Sequence, residues 1–152
     1  MNTTPTLHDT VDALVVAFES LGPSDVKQLG LWYAADARFK DPFKEVQGVA
    51  AIEAIFTHMF DSLHQPRFVV TERIVQGTQC FLVWDFLFHF KTMDRKTPQC
   101  IRGGSHLQFV AGDDGAWRIS LHRDYWDAAE ELYEKLPWVG GLMRWLKNRV
   151  NA

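Results

Sequence analysis

Residues 80–91, which read CFLVWDFLFHFK, show the clearest pattern in the chain. Apolar and polar side chains alternate along them, and successive side chains of a β-strand point to opposite faces. We therefore predict a long strand with a polar face, which includes Asp85 and His89, and an aromatic face that packs against other parts of the chain. The aromatic face carries Leu82, Trp84, Phe86, Phe88 and Phe90.

Similar patterns on either side of this strand predict the rest of the sheet. Residues 67–75, 99–110 and 116–126 are further strand candidates. The sequence GDDG at 112–115 is a strong turn signal between the last two. Ahead of the strands, apolar residues recur at helical spacing in three segments. The chain is therefore predicted to consist of three helices followed by four long strands.

This order of elements predicts an α+β fold, because helices can cover only one face of a sheet well. N-terminal helices would pack in the concave face of a curved, mainly antiparallel sheet, which gives a cystatin-like cone with an interior. The second predicted helix includes Trp32 and Tyr33. We expect residues 1–135 to form the cone domain and residues 136–152 to form an amphipathic helical extension of the same domain.

Composition limits the classes of function. The 152 residues are the size of one domain, and 16 lysines and arginines against 19 aspartates and glutamates give a net charge of −3. This balance disfavours a general nucleic-acid binder, which needs a basic surface. No signal peptide is recognisable and no apolar stretch is long enough to span a membrane, so we expect a cytoplasmic protein.

The cysteines and histidines argue against two other kinds of site. Cys80 and Cys100 lie 20 residues apart without a CxxC motif, so one disulfide stays open and two thiols in a reducing compartment are favoured. His58 and His64 lack the i, i+4 spacing of a zinc-binding helix. We therefore expect no metal site and no cofactor.

Asp41 is the first residue with candidate chemistry. It lies in the sequence FKDPF, and the flanking Phe39 and Phe43 would disfavour its charged form, which is how a carboxylate is poised as a general base. An aspartate that forms a turn or caps a helix before Pro42 explains the same sequence. The general association of Asp-Pro with turns favours this second interpretation.

The second candidate is the segment LHRDYWD at 121–127. On a strand, Ser120, His122, Asp124 and Trp126 share one face. If this face is inward, its charged groups need partners, and Asp124 would orient His122 and stabilise the charged imidazole. If the face is exposed to solvent, the pattern carries no functional meaning. The residues alone leave both interpretations open.

The strand at 99–110 contains two features with structural explanations. His106 alternates with Leu107 and is expected on the outer face. Gly103 and Gly104 lie inside the strand pattern, where they indicate a bulge or a bend rather than a phosphate-binding loop.

The chain resembles a known fold family over about residues 8–135. The resemblance rests on AADARFKDP at 34–42, GVAAIEAIF at 48–56 and HRDYWDAAEELYEKLP at 122–137. These segments are similar to the nuclear transport factor 2-like cone fold, which includes ketosteroid isomerases and SnoaL-like polyketide cyclases. The likeness is closest to SnoaL-like proteins of unassigned reaction. Because this fold hosts enzymes, binding modules and transport adaptors, the resemblance implies a fold more strongly than an activity.

The resemblance implies roles for individual residues. Asp41 falls on the general base of the isomerases, whereas the two groups of their oxyanion hole fall near Ala17 or Phe18 and on Ser105. A supporting tyrosine of the isomerases becomes Phe56. The base is thus kept and most of the electrophile is absent, which argues against steroid isomerisation.

The same resemblance implies an aromatic-lined pocket with Asp41, His122 and Asp124 as its catalytic groups. Tyr33 or Ser105 could donate a hydrogen bond to a developing oxyanion. The side chains expected to contact a ligand are Trp32, Tyr33, Phe56, Trp84, Phe86, Phe88, Ser105, Ser120 and Trp126.

The sequence leaves three functions open. The cone could hold an apolar small molecule and move a proton on it, as an isomerase, cyclase or lyase would. It could instead bind an apolar or lipid-like ligand without catalysis, or its own side chains could fill it and leave a dimerising scaffold. The resemblance implies a homodimer formed through the sheet.

The segment LPWVGGLMRWLKNRV at 136–150 is expected to dock on the domain or a partner copy, with a membrane surface as the less favoured alternative.

Overall fold

The structure is a computed structural model that describes residues 3–91, 95–131 and 139–150. Its first element is helix α1, Leu7–Glu19. The Thr6 side chain accepts a hydrogen bond from the Asp9 amide, and the Asp9 carboxylate accepts one from the Thr6 amide. This capping box satisfies amides that the first turn would otherwise leave free. The buried stripe of α1 consists of Leu7, Val11, Leu14, Val15 and Phe18.

The remaining elements follow in the predicted order. A 3-10 helix, Pro23–Leu31, and helix α2, Val49–Ser62, precede the long strands, and the C-terminal part contains helices α3, Ala128–Glu131, and α4, Val139–Val150. The strands are β1 Tyr33–Lys40, β2 Glu45–Gln47, β3 Leu63–Gln76, β4 Gln79–Phe90, β5 Gln99–Ala111 and β6 Trp117–Trp126.

The strands form one sheet in the order β2-β1-β6-β5-β4-β3, in which all neighbours are antiparallel except β1 and β6. The four long strands pair with their sequence neighbours, as the pattern predicts. Strand β1 lies parallel to β6, with Phe39 opposite His122 and Lys40 opposite Arg123. This pairing brings Asp41, the next residue of the chain, to the level of Asp124.

The second helix is shorter than its spacing predicts. It ends at Leu31, and Tyr33 is already the first residue of β1. The Trp32 carbonyl accepts a hydrogen bond from the Ile119 amide at 2.8 Å, and Tyr33 is paired with Ile119. Pairing with β6 therefore takes up the backbone groups that a longer helix would have used, and the predicted helical placement of Trp32 and Tyr33 is wrong.

Register shifts interrupt the pairing of β3 with β4 and of β5 with β6, and such bulges bend a sheet. The N-terminal helices pack in the concave face that results: α1 contacts β3, and α2 contacts β1 and β3. The inward residues of β4 alternate with less buried ones as predicted. These findings confirm the α+β cone. The buried residues of β4 are Cys80, Leu82, Trp84, Phe86 and Phe88.

Helix α4 differs from the other helices in what it leaves uncovered. Leu142, Trp145, Leu146 and Val150 are exposed in the single chain. Within the described ranges, no helix has both the length and the apolar character needed to cross a membrane.

Candidate functional site

A cavity of about 440 Å³ lies between helix α2 and the concave face of the sheet. Its wall is strongly aromatic, because inward positions of five strands and of α1 and α2 meet there. Phe68 and Phe86 stack with ring centroids 4.6 Å apart, and Phe43 meets Trp126 edge to face at 5.5 Å. The aromatic lining residues are Phe18, Phe39, Phe43, Phe56, Phe68, Trp84, Phe86, Phe88, Phe90 and Trp126.

A chain of hydrogen bonds runs along one side of this cavity and joins four elements. The Tyr33 hydroxyl lies 2.7 Å from His122 Nδ1, and His122 Nε2 lies 2.7 Å from Asp124 Oδ1. From the other direction, the Trp84 indole N–H donates to Ser105 Oγ at 2.8 Å, and the Ser105 hydroxyl donates to Asp124 Oδ1 at 2.5 Å. Both arms therefore end on one carboxylate oxygen.

Tyr33 and Asp124 together set the direction of the hydrogen bonds to His122. Burial raises the pKa of Tyr33 well above its ordinary value, and the negative charge of Asp124 raises it further, so the phenol keeps its proton. Because the Asp124 carboxylate can only accept, the His122 ring proton lies on Nε2, and Nδ1 of the singly protonated ring accepts from the Tyr33 hydroxyl. Both His122 and Ser105 thus donate to Asp124.

Among the residues of this hydrogen-bonded chain, Asp124 lines the cavity and can still accept further hydrogen bonds. Among the described residues, its hydrogen bonds from Ser105 and His122 both end on Oδ1, and Oδ2 accepts none. The side chain is 15% exposed, whereas that of His122 is 5% exposed. The geometry therefore has His122 orient Asp124, which reverses the roles that the sequence suggests for this pair.

Asp41 closes the turn after β1 and also lines the cavity. Its Oδ1 accepts hydrogen bonds from the amides of Phe43 and Lys44, each at 2.8 Å, and its own amide donates to the Lys44 carbonyl at 3.0 Å. The turn explanation therefore holds for one carboxylate oxygen. The position beside Asp124 keeps Asp41 within the candidate site.

Most of the residues expected to contact a ligand lie in the cavity wall, and three do not. The cavity wall includes six of the nine expected residues together with His122 and Asp124. The six are Phe56, Trp84, Phe86, Phe88, Ser105 and Trp126. Tyr33 lies behind the wall, where its ring stacks on His122 with a centroid distance of 5.9 Å. Trp32 packs against the core outside the cavity lining.

Ser120 is the third exception, and a β-bulge explains it. Leu121 is opposite Gln108 and Ile119 is opposite Phe109, so Ser120 is an extra residue on β6. Its hydroxyl donates to the Gln108 carbonyl at 3.2 Å instead of facing the cavity. The predicted common face of Ser120 with His122 is therefore wrong, because the bulge changes the alternation just before His122.

Gly103 and Gly104 allow aromatic rings of β4 to lie against β5. A Cβ on Gly103 would come within 2.6 Å of Trp84 Cη2, and one on Gly104 within 2.5 Å of Phe81 Cε1. The ladder between β4 and β5 runs through both glycines without a register shift, so the predicted bulge is absent there. The glycine at 103 helps to place the indole that holds Ser105.

Several lining residues were missed by reasoning from the sequence. Phe39 and Phe68 lie on strands whose period of two could have placed them inward with Asp41 and Val70. Lys44 and His58 also line the cavity, but no period of two predicts them. Lys44 lies in a turn, and His58 lies near the end of helix α2.

The other histidines do not assemble a metal site within the part of the chain that the structure describes, where no group of three or more potential ligands occurs. His106 lies 2.8 Å from the Gln79 side-chain oxygen through its Nε2 atom. The metal-binding interpretation therefore gains no support from the described residues.

Comparison with known proteins gives one family and one fold. A family model described as a SnoaL-like domain matches residues 14–119, which is more than half of the chain. No curated protein matches the chain. A hypothetical protein with a ketosteroid isomerase-like fold from Catenulispora acidiphila DSM 44928, solved in complex with trimethylamine, is 20% identical, with 86% of this chain and 92% of that chain covered and a TM-score of 0.64.

Two further solved structures show the same fold. A protein from Shewanella putrefaciens CN-32 with the provisional description SnoaL-like polyketide cyclase is 16% identical, covers 86% of this chain and 98% of its own, and has a TM-score of 0.65. A nuclear transport factor 2-like protein of unknown function from Burkholderia pseudomallei K96243 is 17% identical, with 81% and 92% covered and a TM-score of 0.64. The chain therefore belongs to the SnoaL-like domain family and shares its fold with these ketosteroid isomerase-like and nuclear transport factor 2-like structures.

Proposed function

We propose that this protein binds an apolar small molecule in the aromatic cavity and exchanges a proton with it through Asp124. The proposal is carried by one observation: two arms of buried hydrogen bonds end on Asp124 Oδ1, while Oδ2 accepts no hydrogen bond from the described residues at the cavity wall. An apolar pocket with a few convergent polar groups is the usual form of a small-molecule site.

The hydrogen bonds from Ser105 and His122 suit Asp124 to this role. They hold the carboxylate in one orientation, so a bound ligand meets Oδ2 without a prior rearrangement of the side chain. His122 has both ring nitrogens engaged with Tyr33 and Asp124, which makes it a positioning residue rather than the proton carrier. The reaction class that fits is proton transfer at carbon, as in isomerases, cyclases and dehydratases.

A non-catalytic binding module is the second candidate, and the closure of the hydrogen-bonded chain favours it. Tyr33, His122, Ser105 and Trp84 satisfy one another around Asp124 and need no ligand to do so. In that case the cavity would hold an apolar ligand and Asp124 would only select for it.

The base strength of Asp124 can be tested with 5-nitrobenzisoxazole, a flat apolar compound. Removal of its isoxazole C–H proton by a carboxylate breaks the N–O bond and releases the coloured 2-cyano-4-nitrophenolate. We expect turnover by the wild type and a loss of about 100-fold in kcat for Asp124→Asn, the usual contribution of a general base. Asp41→Asn, measured alongside, reports whether the neighbouring carboxylate shares the role.

Asp85→Asn is the matched control, because it removes one carboxylate from β4 at a position outside the cavity lining. Quenching of Trp84 and Trp126 fluorescence reports binding independently of turnover. An Asp124→Asn variant that turns over at the wild-type rate would contradict the proposed base. Binding without turnover in the wild type would favour the non-catalytic module.

A further inference from the structure

We infer that the ligand of this cavity is an apolar amine, bound as its protonated cation beside the carboxylates of Asp41 and Asp124. The inference rests on the proposed function, since it names the chemical class of the molecule that the same cavity would hold. One carboxylate would pair with the cation, and the other would be left to act on the ligand.

The polar chain beside the cavity offers a ligand an acceptor and no free donor. The Tyr33 hydroxyl donates to His122, the His122 Nε2–H and the Ser105 hydroxyl donate to Asp124, and the Trp84 indole N–H donates to Ser105. Each of these hydrogens is therefore used within the protein. A ketone or carboxylate ligand would find no partner among them, whereas an N–H donor would find Asp124 Oδ2.

No lysine or arginine of the described residues neutralises the two carboxylates. Neither Asp41 nor Asp124 forms a salt bridge with a lysine or arginine of the described residues. The Arg123 guanidinium lies 4.7 Å from the centre of the exposed Tyr125 ring instead. Because a carboxylate removed from water is costly without an opposite charge, an ammonium group between them would be stabilised.

Asp41 and Asp124 place two negative charges at the same end of the cavity. The parallel register of β1 and β6 sets Lys40 opposite Arg123, so the next residues along both strands are the two aspartates. Both line the cavity, and among the described lining residues Lys44 is the only basic side chain apart from the histidines. The formal charge of the wall is therefore negative when those histidines are neutral.

The aromatic wall adds to the preference for a cation. The faces of Trp and Phe rings carry a partial negative charge, and a cation near them is attracted. Trp126 is two residues after Asp124 on β6. Phe39 lies on β1, two residues before Asp41. Aromatic faces and carboxylates thus occupy the same region of the wall, which is the composition of an alkylammonium site.

Three compounds with one compact cage separate charge from shape: 1-adamantylamine, 1-adamantanol and 1-adamantanecarboxylate. At pH 7 they are cationic, neutral and anionic. Their affinities for the full-length wild type can be compared by isothermal titration calorimetry. We expect the amine to bind at least about tenfold more tightly than the alcohol, and the carboxylate to bind most weakly.

Variants locate the charge preference. We expect Asp124→Asn and Asp41→Asn each to lower the ratio of amine to alcohol affinity by about threefold or more, while alcohol binding changes little. Asp85→Asn should leave the ratio unchanged. Equal or tighter binding of the alcohol by the wild type would overturn the amine inference and leave the proposed function standing. Failure of all three compounds to bind would count against the cavity as a ligand site, and so against both.

Discussion

At the scale of single residues, we expect the hydroxyl of Tyr33 to contribute to the stability of the folded protein through its buried hydrogen bond. It is buried and donates to His122 Nδ1, so Tyr33→Phe would leave that nitrogen without a donor in the core. We expect the free energy of unfolding to fall by about 1–3 kcal/mol, as urea denaturation would measure. Tyr125→Phe removes a hydroxyl from a side chain that is 45% exposed and should change stability by no more than about 0.5 kcal/mol.

Nitrogen chemical shifts give a second check on the same hydroxyl. In the wild type, the neutral ring of His122 should show a protonated Nε2 and an unprotonated Nδ1, because the Asp124 carboxylate can only accept at Nε2 and the tyrosine proton occupies the Nδ1 side. A proton on Nδ1 would contradict the assigned direction of the hydrogen bonds. A stability loss of equal size in both tyrosine variants would show that the buried hydroxyl has no special role.

The residues of the site differ in how far the sequence predicts them. His122, Asp124 and Trp126 follow the period of two along β6, which is a local property that the sequence displays directly. The contact between Tyr33 and His122 joins residues 89 positions apart. It depends on the parallel pairing of β1 with β6, and no short-range pattern specifies which strands pair. Patterns of neighbouring residues therefore could not predict that Tyr33 is a hydrogen-bond partner of His122.

At the scale of elements, the register of β4 and β5 sets the chemistry of the two cysteines. Cys80 is opposite Leu107 and Cys100 is opposite Leu87, so they are seven positions apart along β4, or about 23 Å. Disulfides need Cα atoms within about 7 Å. The two cysteines therefore form no disulfide with each other, in agreement with the favoured interpretation of the sequence.

Burial raises the pKa of the Cys80 thiol to about 12, whereas Cys100 is partly exposed. The thiolate is the reactive form, so at pH 8 Cys80 stays almost wholly protonated. We expect iodoacetamide at this pH to label Cys100 of the folded protein much faster than Cys80, and urea to make the two rates similar. Peptide mass spectrometry would show the order. Equal labelling of both in the folded state would contradict the burial of Cys80.

The elements also show where alternation fails as a guide. Along β4 the alternation is unbroken, and every predicted inward residue from Leu82 to Phe88 is buried. Along β6 one extra residue at Ser120 changes the alternation, so both Ile119 and His122 are buried. A bulge of this kind depends on the partner strand, and its sequence contains no glycine or other turn signal that would reveal it.

At the scale of the whole molecule, the cone is predictable because its strands are long and the helices precede them. The inner face of the sheet is covered by helices and encloses the cavity. The outer face and helix α4 are left with exposed apolar side chains, including Val110 and Tyr125 on the sheet and Leu142 and Leu146 on α4. Two surfaces of the single chain could therefore be covered by a second copy.

We expect a homodimer that forms through the outer face of the sheet. Size-exclusion chromatography with light scattering should then give twice the chain mass for the wild type and a monomer for Val110→Lys combined with Tyr125→Lys, since two lysines on each copy would bring like charges together in the interface. Leu142→Lys combined with Leu146→Lys is the matched variant on α4 and should remain dimeric. The opposite pattern would place the interface on α4, and a monomeric wild type would contradict the homodimer. Because neither pair of residues lines the cavity, all three proteins should bind the same ligand, so assembly and binding can be measured separately.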